Sequence, residues 1–148
     1  MNTKDLGNLA ENIATRYLQE KGYEILEKNY EMSFGEIDII AKGDSNDDHS
    51  AVLPSKILGA GKIGDHKNDD AISVIIFVEV KANKKDYGPE FDPETRVNSK
   101  KYEKLVKTAM YYMDRELGGV DLEWRIDIVS VVFDKKNQKA KLKHFKNV

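Results

Sequence analysis

Ile72-Ser73-Val74-Ile75-Ile76-Phe77-Val78-Glu79-Val80-Lys81 is the stretch whose reading decides the fold. It is almost continuously apolar as far as Val78, which marks a central strand covered on both faces. Its last three residues change character. A strand period of two puts Glu79 and Lys81 on one face, opposite Val78 and Val80.

Upstream, Tyr23 to Tyr30 and Phe34 to Lys42 are short and rich in aromatic and β-branched residues. Glu31-Met32-Ser33 separates them, so they are expected to form a hairpin. The second contains Gly35-Glu36-Ile37-Asp38-Ile39-Ile40, where alternation predicts Glu36 and Asp38 on one face and Ile37 and Ile39 on the other. If this strand neighbours the central one, Asp38, Glu79 and Lys81 converge. Before the hairpin, Leu6, Leu9, Ala10, Ile13, Ala14, Tyr17 and Leu18 recur at helical spacing between Thr3 and Lys21, and Gly22 is a stop signal.

Downstream of a loop carrying Tyr87-Gly88-Pro89, residues 98–117 predict a second helix, with Val106, Ala109, Met110 and Met113 on one side and Gly118-Gly119 at its end. Leu122 to Phe133 is a further strand. Ala140 to Phe145 alternates apolar residues with lysine as an edge strand does. The predicted order is α-β-β-β-α-β-β around one mixed sheet, an α/β (α+β) architecture. Residues 43–71 hold Gly43, Gly59, Gly61, Gly64 and Pro54 and show no periodicity, so they are read as a long flexible insertion. A length of 148 residues fits one domain, 1–148, ending in a basic strand at 139–148.

Composition closes several function classes. With no cysteine, the chain has no disulfide framework, no thiolate zinc site and no cysteine nucleophile. No apolar run nears the roughly 18 residues of a membrane span, and the N-terminus leads into an amphipathic pattern rather than a signal peptide; the expectation is a cytoplasmic protein without membrane contact. A net charge of −2 excludes a globally basic binder. The charge is segregated, however. Residues 81–107 carry eight basic against five acidic side chains, and residues 135–148 carry six lysines and no acid. That pattern suits a phosphate-binding surface beside an acidic site, although a solvated lysine-rich face is the commoner cause.

Asp38 and Glu79, with the carbonyl of Val80 and water, make a hard-oxygen donor set suited to Mg²⁺ or Mn²⁺. Such an ion lowers the pKa of bound water and stabilises charge on a phosphate. Lys81 beside it can orient the nucleophile and offset repulsion between the acids. A lone Asp…Glu-x-Lys match is short and degenerate, and a strand end reaching solvent with Asp38 at the surface is the commoner explanation; its place after a helix, on two adjacent strands and before a basic helix raises its weight. Spacing leaves the position of Glu11 open. The three histidines, His49, His66 and His144, fall in the insertion and the tail and are read as solvated. Trp124 and Arg125 are read as core and rim, and Asp127 as a residue that caps a turn, pairs locally or supports the site.

Several motifs then carry a resemblance: Gly7-Asn8-Leu9-Ala10-Glu11-Asn12-Ile13-Ala14, Gly22-Tyr23, Asn29, Gly35-Glu36-Ile37-Asp38-Ile39-Ile40, Phe77-Val78-Glu79-Val80-Lys81, Gly88, Val97 with Lys101, and Arg125-Ile126-Asp127. Over roughly 1–42 and 72–133 the chain resembles the YraN-like family of small bacterial proteins. That family is similar to the PD-(D/E)XK restriction-endonuclease fold, with archaeal Holliday junction resolvases among its structural relatives. The resemblance implies Asp38 and Glu79 as metal ligands, Lys81 as the catalytic lysine, and Glu11 as a helix carboxylate that joins the catalytic and metal-binding set. It implies DNA as partner, a branched or structured form as substrate, and a homodimer. Two arginines frequent in the family are replaced, by Asn83 and Glu31, and a glycine before Glu11 is replaced by Ala10. DNA contact is therefore expected to rest on Lys100, Lys101 and Lys104, with Asn83 in the place of one lost arginine. The function expected is a metal-dependent DNA endonuclease. The alternative is a non-catalytic nucleic-acid-binding or scaffold module on the same fold, and a third option is capture of a protein partner through 43–71.

Overall fold

The first helix begins where the Asn2 side chain accepts the Asp5 N–H at 2.8 Å, satisfying one of the donors that a helix start leaves open. This helix, α1, spans Thr3–Glu20 and buries a four-residue stripe of Leu6, Ala10, Ala14 and Leu18. It ends because Gly22 takes φ +91°, which lets the Gly22 N–H reach the Gln19 carbonyl and the Tyr23 N–H reach that of Leu18, both at 3.0 Å. Tyr23 and Leu18 then enter the same core. The computed structural model describes residues 2–45, 73–84 and 98–148.

Five strands follow the expected order: β1 (Glu24–Met32), β2 (Gly35–Asp44), β3 (Ser73–Lys84), helix α2 (Ser99–Arg115), β4 (Glu123–Asp134) and β5 (Lys139–Phe145). They form one sheet in the order β1-β2-β3-β4-β5, with β3 and β4 parallel and the other neighbours antiparallel. β2 runs on to Asp44, which pairs with Ser73; Gly43 and Asp44 are therefore strand residues rather than the start of the insertion. The rest of the expected insertion, and the loop carrying Tyr87-Gly88-Pro89, lie outside the described residues.

The central strand explains the two-layer cover. Val74, Ile76 and Val78 pack with Ala10, Ala14 and Leu18 of α1, while Ile75 and Phe77 pack with Leu105, Ala109, Tyr112 and Met113 of α2. α2 comes close to the sheet at Gly35, where a Cβ would collide with the Thr108 hydroxyl and press on the Lys104 carbonyl. Glycine is needed there for close approach rather than for its backbone angle.

One expectation about β2 is corrected. Ile37 and Ile39 do not share a face: Ile37 lies in the core beneath α2, whereas Ile39 lies in the core beneath α1. The register runs Lys28↔Ile39 and Tyr30↔Ile37, and Asn29 between Lys28 and Tyr30 has φ +53°, a left-handed conformation that asparagine tolerates. The alternation thus changes phase at Asp38, and the hairpin presents opposite faces on either side of it.

Candidate active site

The phase change sits beside the end of a ladder. Pairing between β2 and β3 stops at Ile39↔Val78, and one step further the Asp38 side chain replaces the missing backbone partner: its Oδ2 accepts the Val80 N–H at 2.7 Å. This holds the carboxylate in the notch between two strands, beside Glu79. The Asp38 pKa is pushed up to about 7, first by burial and then by the charge of Glu79, against the opposing Val80 hydrogen bond; Glu11 and Glu36 add to the rise.

Glu79 is only 4% exposed although it is an acid. Two ammonium groups meet it at the same oxygen: Lys81 Nζ lies 3.1 Å and Lys101 Nζ 2.5 Å from Oε1. The pairing of Glu79 with Lys81 was legible from strand parity. The contact from Lys101 was not, since it joins the first turn of a helix to a distant strand end. Asn98 caps that helix by accepting the Lys101 N–H at 2.9 Å. Burial, and then the neighbouring Lys101, lower the Lys81 pKa. Burial also draws Lys101 downward, but the Glu79 carboxylate outweighs it and its pKa is raised. Lys81 is therefore the ammonium that gives up its proton more easily.

Beside this group lies a cleft of about 460 Å³ bordered by Glu31, Glu36, Asn98, Lys100, Lys101 and Lys104. Lys100 and Lys104 are exposed at its edge, and Glu31 brings an acid to the rim. Glu11 projects from α1 near enough for its charge to act on Asp38. Among the described residues, however, no three of the acidic and histidine side chains gather closely enough to hold an ion as a set. Asn83, expected as a DNA contact, is 3% exposed at the end of β3.

Beneath α1 lies a polar cluster that sequence reading missed. Asp127 is fully buried. It accepts from Arg125 Nε at 3.0 Å and Nη2 at 3.2 Å, from His144 Nε2 at 2.7 Å and from the Asn147 N–H at 2.9 Å. His144 is not solvated: its Nδ1 lies 3.2 Å from the Tyr17 hydroxyl, and the two rings meet edge to face at 5.6 Å. The signal was present in the parity of β5, which turns Leu142 and His144 inward when Lys141 and Lys143 point out. Trp124 meets Phe77 edge to face at 5.7 Å and is otherwise partly exposed, in keeping with a rim position. Among the described residues no helix is long and apolar enough to cross a membrane.

The chain is similar to UPF0102 proteins of several bacteria. That of Fervidobacterium nodosum is 36% identical over 141 residues, covering 95% of this chain and 78% of the relative. That of Campylobacter fetus is 34% identical over 142 residues, 96% and 91% of the two chains. One from Clostridium botulinum is 31% identical over 145 residues, 97% and 93%. The model of the family described as "Uncharacterised protein family UPF0102" matches residues 10–131, a span that takes in Glu11, Asp38, Glu79, Lys81, Lys101 and Asp127. On that match and those relatives, the chain belongs to the uncharacterised protein family UPF0102, the YraN-like family.

Proposed function

We propose that this protein is a divalent-cation-dependent nuclease that hydrolyses phosphodiester bonds in DNA, with branched or structured DNA as its substrate. The observation that carries the reading is the convergence of Asp38, Glu79 and Lys81 at a strand end beside a lysine-bordered cleft. A buried acid with a strongly raised pKa next to a second acid is costly to maintain, and such groups cluster where chemistry needs them.

The residues present fit Mg²⁺ or Mn²⁺. Their donors are hard oxygens, and Asp38 and Glu79 already draw a cation, the Lys101 ammonium, to their side. Asp38, Glu79 and the Val80 carbonyl would hold the ion, with water completing its shell and Glu11 contributing only its charge nearby. Bound there, such an ion lowers the pKa of water and offsets charge on a phosphate. The chain's own groups do the rest. Lys81, held by Glu79, can hydrogen-bond the attacking water and face the phosphate charge. Lys100, Lys101 and Lys104 bind the phosphates on one side of the cleft. In hydrolysis the water oxygen forms the new bond to phosphorus, one bridging P–O bond breaks, and the leaving sugar oxygen takes up a proton.

A specific observation favours a second reading. Glu79 is paired with two lysines, and acidic Glu31 and buried Asn83 stand where the family resemblance implies arginine. A DNA-binding module without turnover accommodates those features as well. The two are separated by incubating duplex, flap and four-way-junction DNA with the protein and Mg²⁺ or Mn²⁺. The nuclease reading expects cleavage that EDTA stops and that Asp38→Asn, Glu79→Gln or Lys81→Met slows by roughly 100-fold or more. Salt-sensitive binding without cleavage under either metal would establish the module instead, and cleavage that survives all three substitutions would overturn the assigned site.

A further inference from the structure

We propose that β5 is the second half of the DNA interface: Lys139, Lys141 and Lys143 hold the phosphate backbone of duplex DNA on the far side of Asp38 and Glu79 from α2. The inference rests on the nucleic-acid reading above and deepens it by naming where flanking substrate lies.

Facing comes from contacts on both sides of the sheet. Leu142 packs against the core beneath α1, and His144 reaches Asp127 and Tyr17 there. Strand alternation therefore turns Lys139, Lys141 and Lys143 to the opposite face. Glu79 belongs to that opposite face too, since Lys101 of α2 meets it while Val78 and Val80 pack toward α1.

Register then aligns these groups. Lys81 pairs with Ser130, and Ser130 pairs with Lys143; in the next row of that face Asn83 pairs with Val132, and Val132 with Lys141. Two strand spacings put Lys143 roughly 10 Å from Lys81 across the sheet. Ser130, between them, is buried, so the surface of that row is carried by the lysine of β5. Lys100 and Lys104 lie on the other side of Glu79, at the start of α2. The cations thus extend in both directions from the acidic pair.

Charge selects the occupant. The whole chain carries −2, yet residues 135–148 hold six lysines and no acid. A regularly spaced cationic row continuous with a proposed phosphate cleft suits a polyanion of regular charge, which is a nucleic-acid backbone. Lysines on an edge strand also discourage sheet-to-sheet association. That role alone predicts changes in solubility and none in the salt dependence of DNA binding.

The test uses the full chain, a fluorescein-labelled 30-base-pair duplex and EDTA, so that binding is read without turnover, by anisotropy between 50 and 200 mM NaCl. Lys141→Ser with Lys143→Ser is expected to weaken binding several-fold and to flatten the log affinity against log salt slope by about 1.8, or about 0.9 for each lost phosphate contact. Lys135→Ser with Lys136→Ser, an equal charge change in the turn before β5, should leave the slope near wild type. Lys141→Arg with Lys143→Arg should retain affinity, which separates charge from fold. Equal effects of the two serine pairs, or equal competition by poly-glutamate and unlabelled DNA, would overturn the proposal in favour of a general anion surface. If the β5 pair is silent while Lys100→Ser with Lys104→Ser loses binding, the β5 proposal fails and the nucleic-acid reading stands. If wild type binds no duplex, the β5 proposal falls, and the nucleic-acid reading is decided separately by the cleavage assay on flap and junction DNA.

Discussion

Asp38 and Asp127 are both buried aspartates of one sheet, and their surroundings differ in sign. Asp127 is met by a guanidinium, an imidazole and a backbone N–H; although burial alone would raise its pKa, the hydrogen bonds of His144, Asn147 and Arg125 outweigh it and the pKa is lowered. Asp38 has one backbone N–H and acidic neighbours, so burial and the charge of Glu79 raise its pKa to about 7. The first is satisfied within the protein and ties β4, β5 and α1 together. The second has burial and like charge around it, and the lysines beside it pair with Glu79 rather than with Asp38 itself.

The largest expected effect belongs to the satisfied group. Asp127→Ala removes the acceptor shared by Arg125, His144 and the Asn147 N–H beneath α1 and should cost about 3–5 kcal/mol. Thermal melts should show a midpoint lower by roughly 10 °C. The depressed pKa sets the pH sign: the contribution of Asp127 is complete above its ordinary value of 3.8 and is lost as pH falls through its lower folded value. A wild type and variant that melt alike at pH 7 would break the comparison.

Asp38→Asn should move stability the other way. An acid with a raised pKa opposes folding once it must ionise, so wild type loses stability as pH rises from about 4 toward 7. The amide keeps an acceptor for the Val80 N–H and removes the charge. At pH 8 the variant should be more stable by about 1–3 kcal/mol, with the gap closing in acid. Equal or lower stability at pH 8 would place Asp38 with Asp127 among structural groups.

Two smaller effects sharpen the account. Gly35→Ala should cost about 1–2 kcal/mol by pressing Thr108 and Lys104 away from β2, read as a lower urea midpoint at unchanged slope. Lys101→Met should alter stability by about 1 kcal/mol or less, because its side chain is 43% exposed. It should nevertheless tighten Mn²⁺ binding several-fold in calorimetry, since Lys101 competes for Glu79; weaker Mn²⁺ binding would contradict that competition.

Periodicity made most of the fold legible. The unbroken run into Val78 predicts a strand covered by two cores, and Val74 and Phe77 occupy those two cores. Parity likewise anticipates Glu79 and Lys81 side by side. It fails at Ile37 and Ile39, which enter opposite cores, with a left-handed Asn29 between their partners Tyr30 and Lys28. The seat of Asp38 was illegible for a related reason: its partner is the N–H of Val80, exposed only because a ladder ends. Lys101 reads from sequence only as a DNA-contacting cation, since its contact with Glu79 depends on where α2 docks, and Gly35 lets α2 approach the sheet closely. His144 was misplaced by treating the tail as solvated when the alternation of β5 already turned it inward.

The most direct test of the central claim is calorimetric titration of Mn²⁺ into wild type and Asp38→Asn at pH 8. A cation site predicts saturable binding to wild type that is lost in the variant, even though the variant is the more stable protein. Heat absent from both, or equal in both, would contradict it.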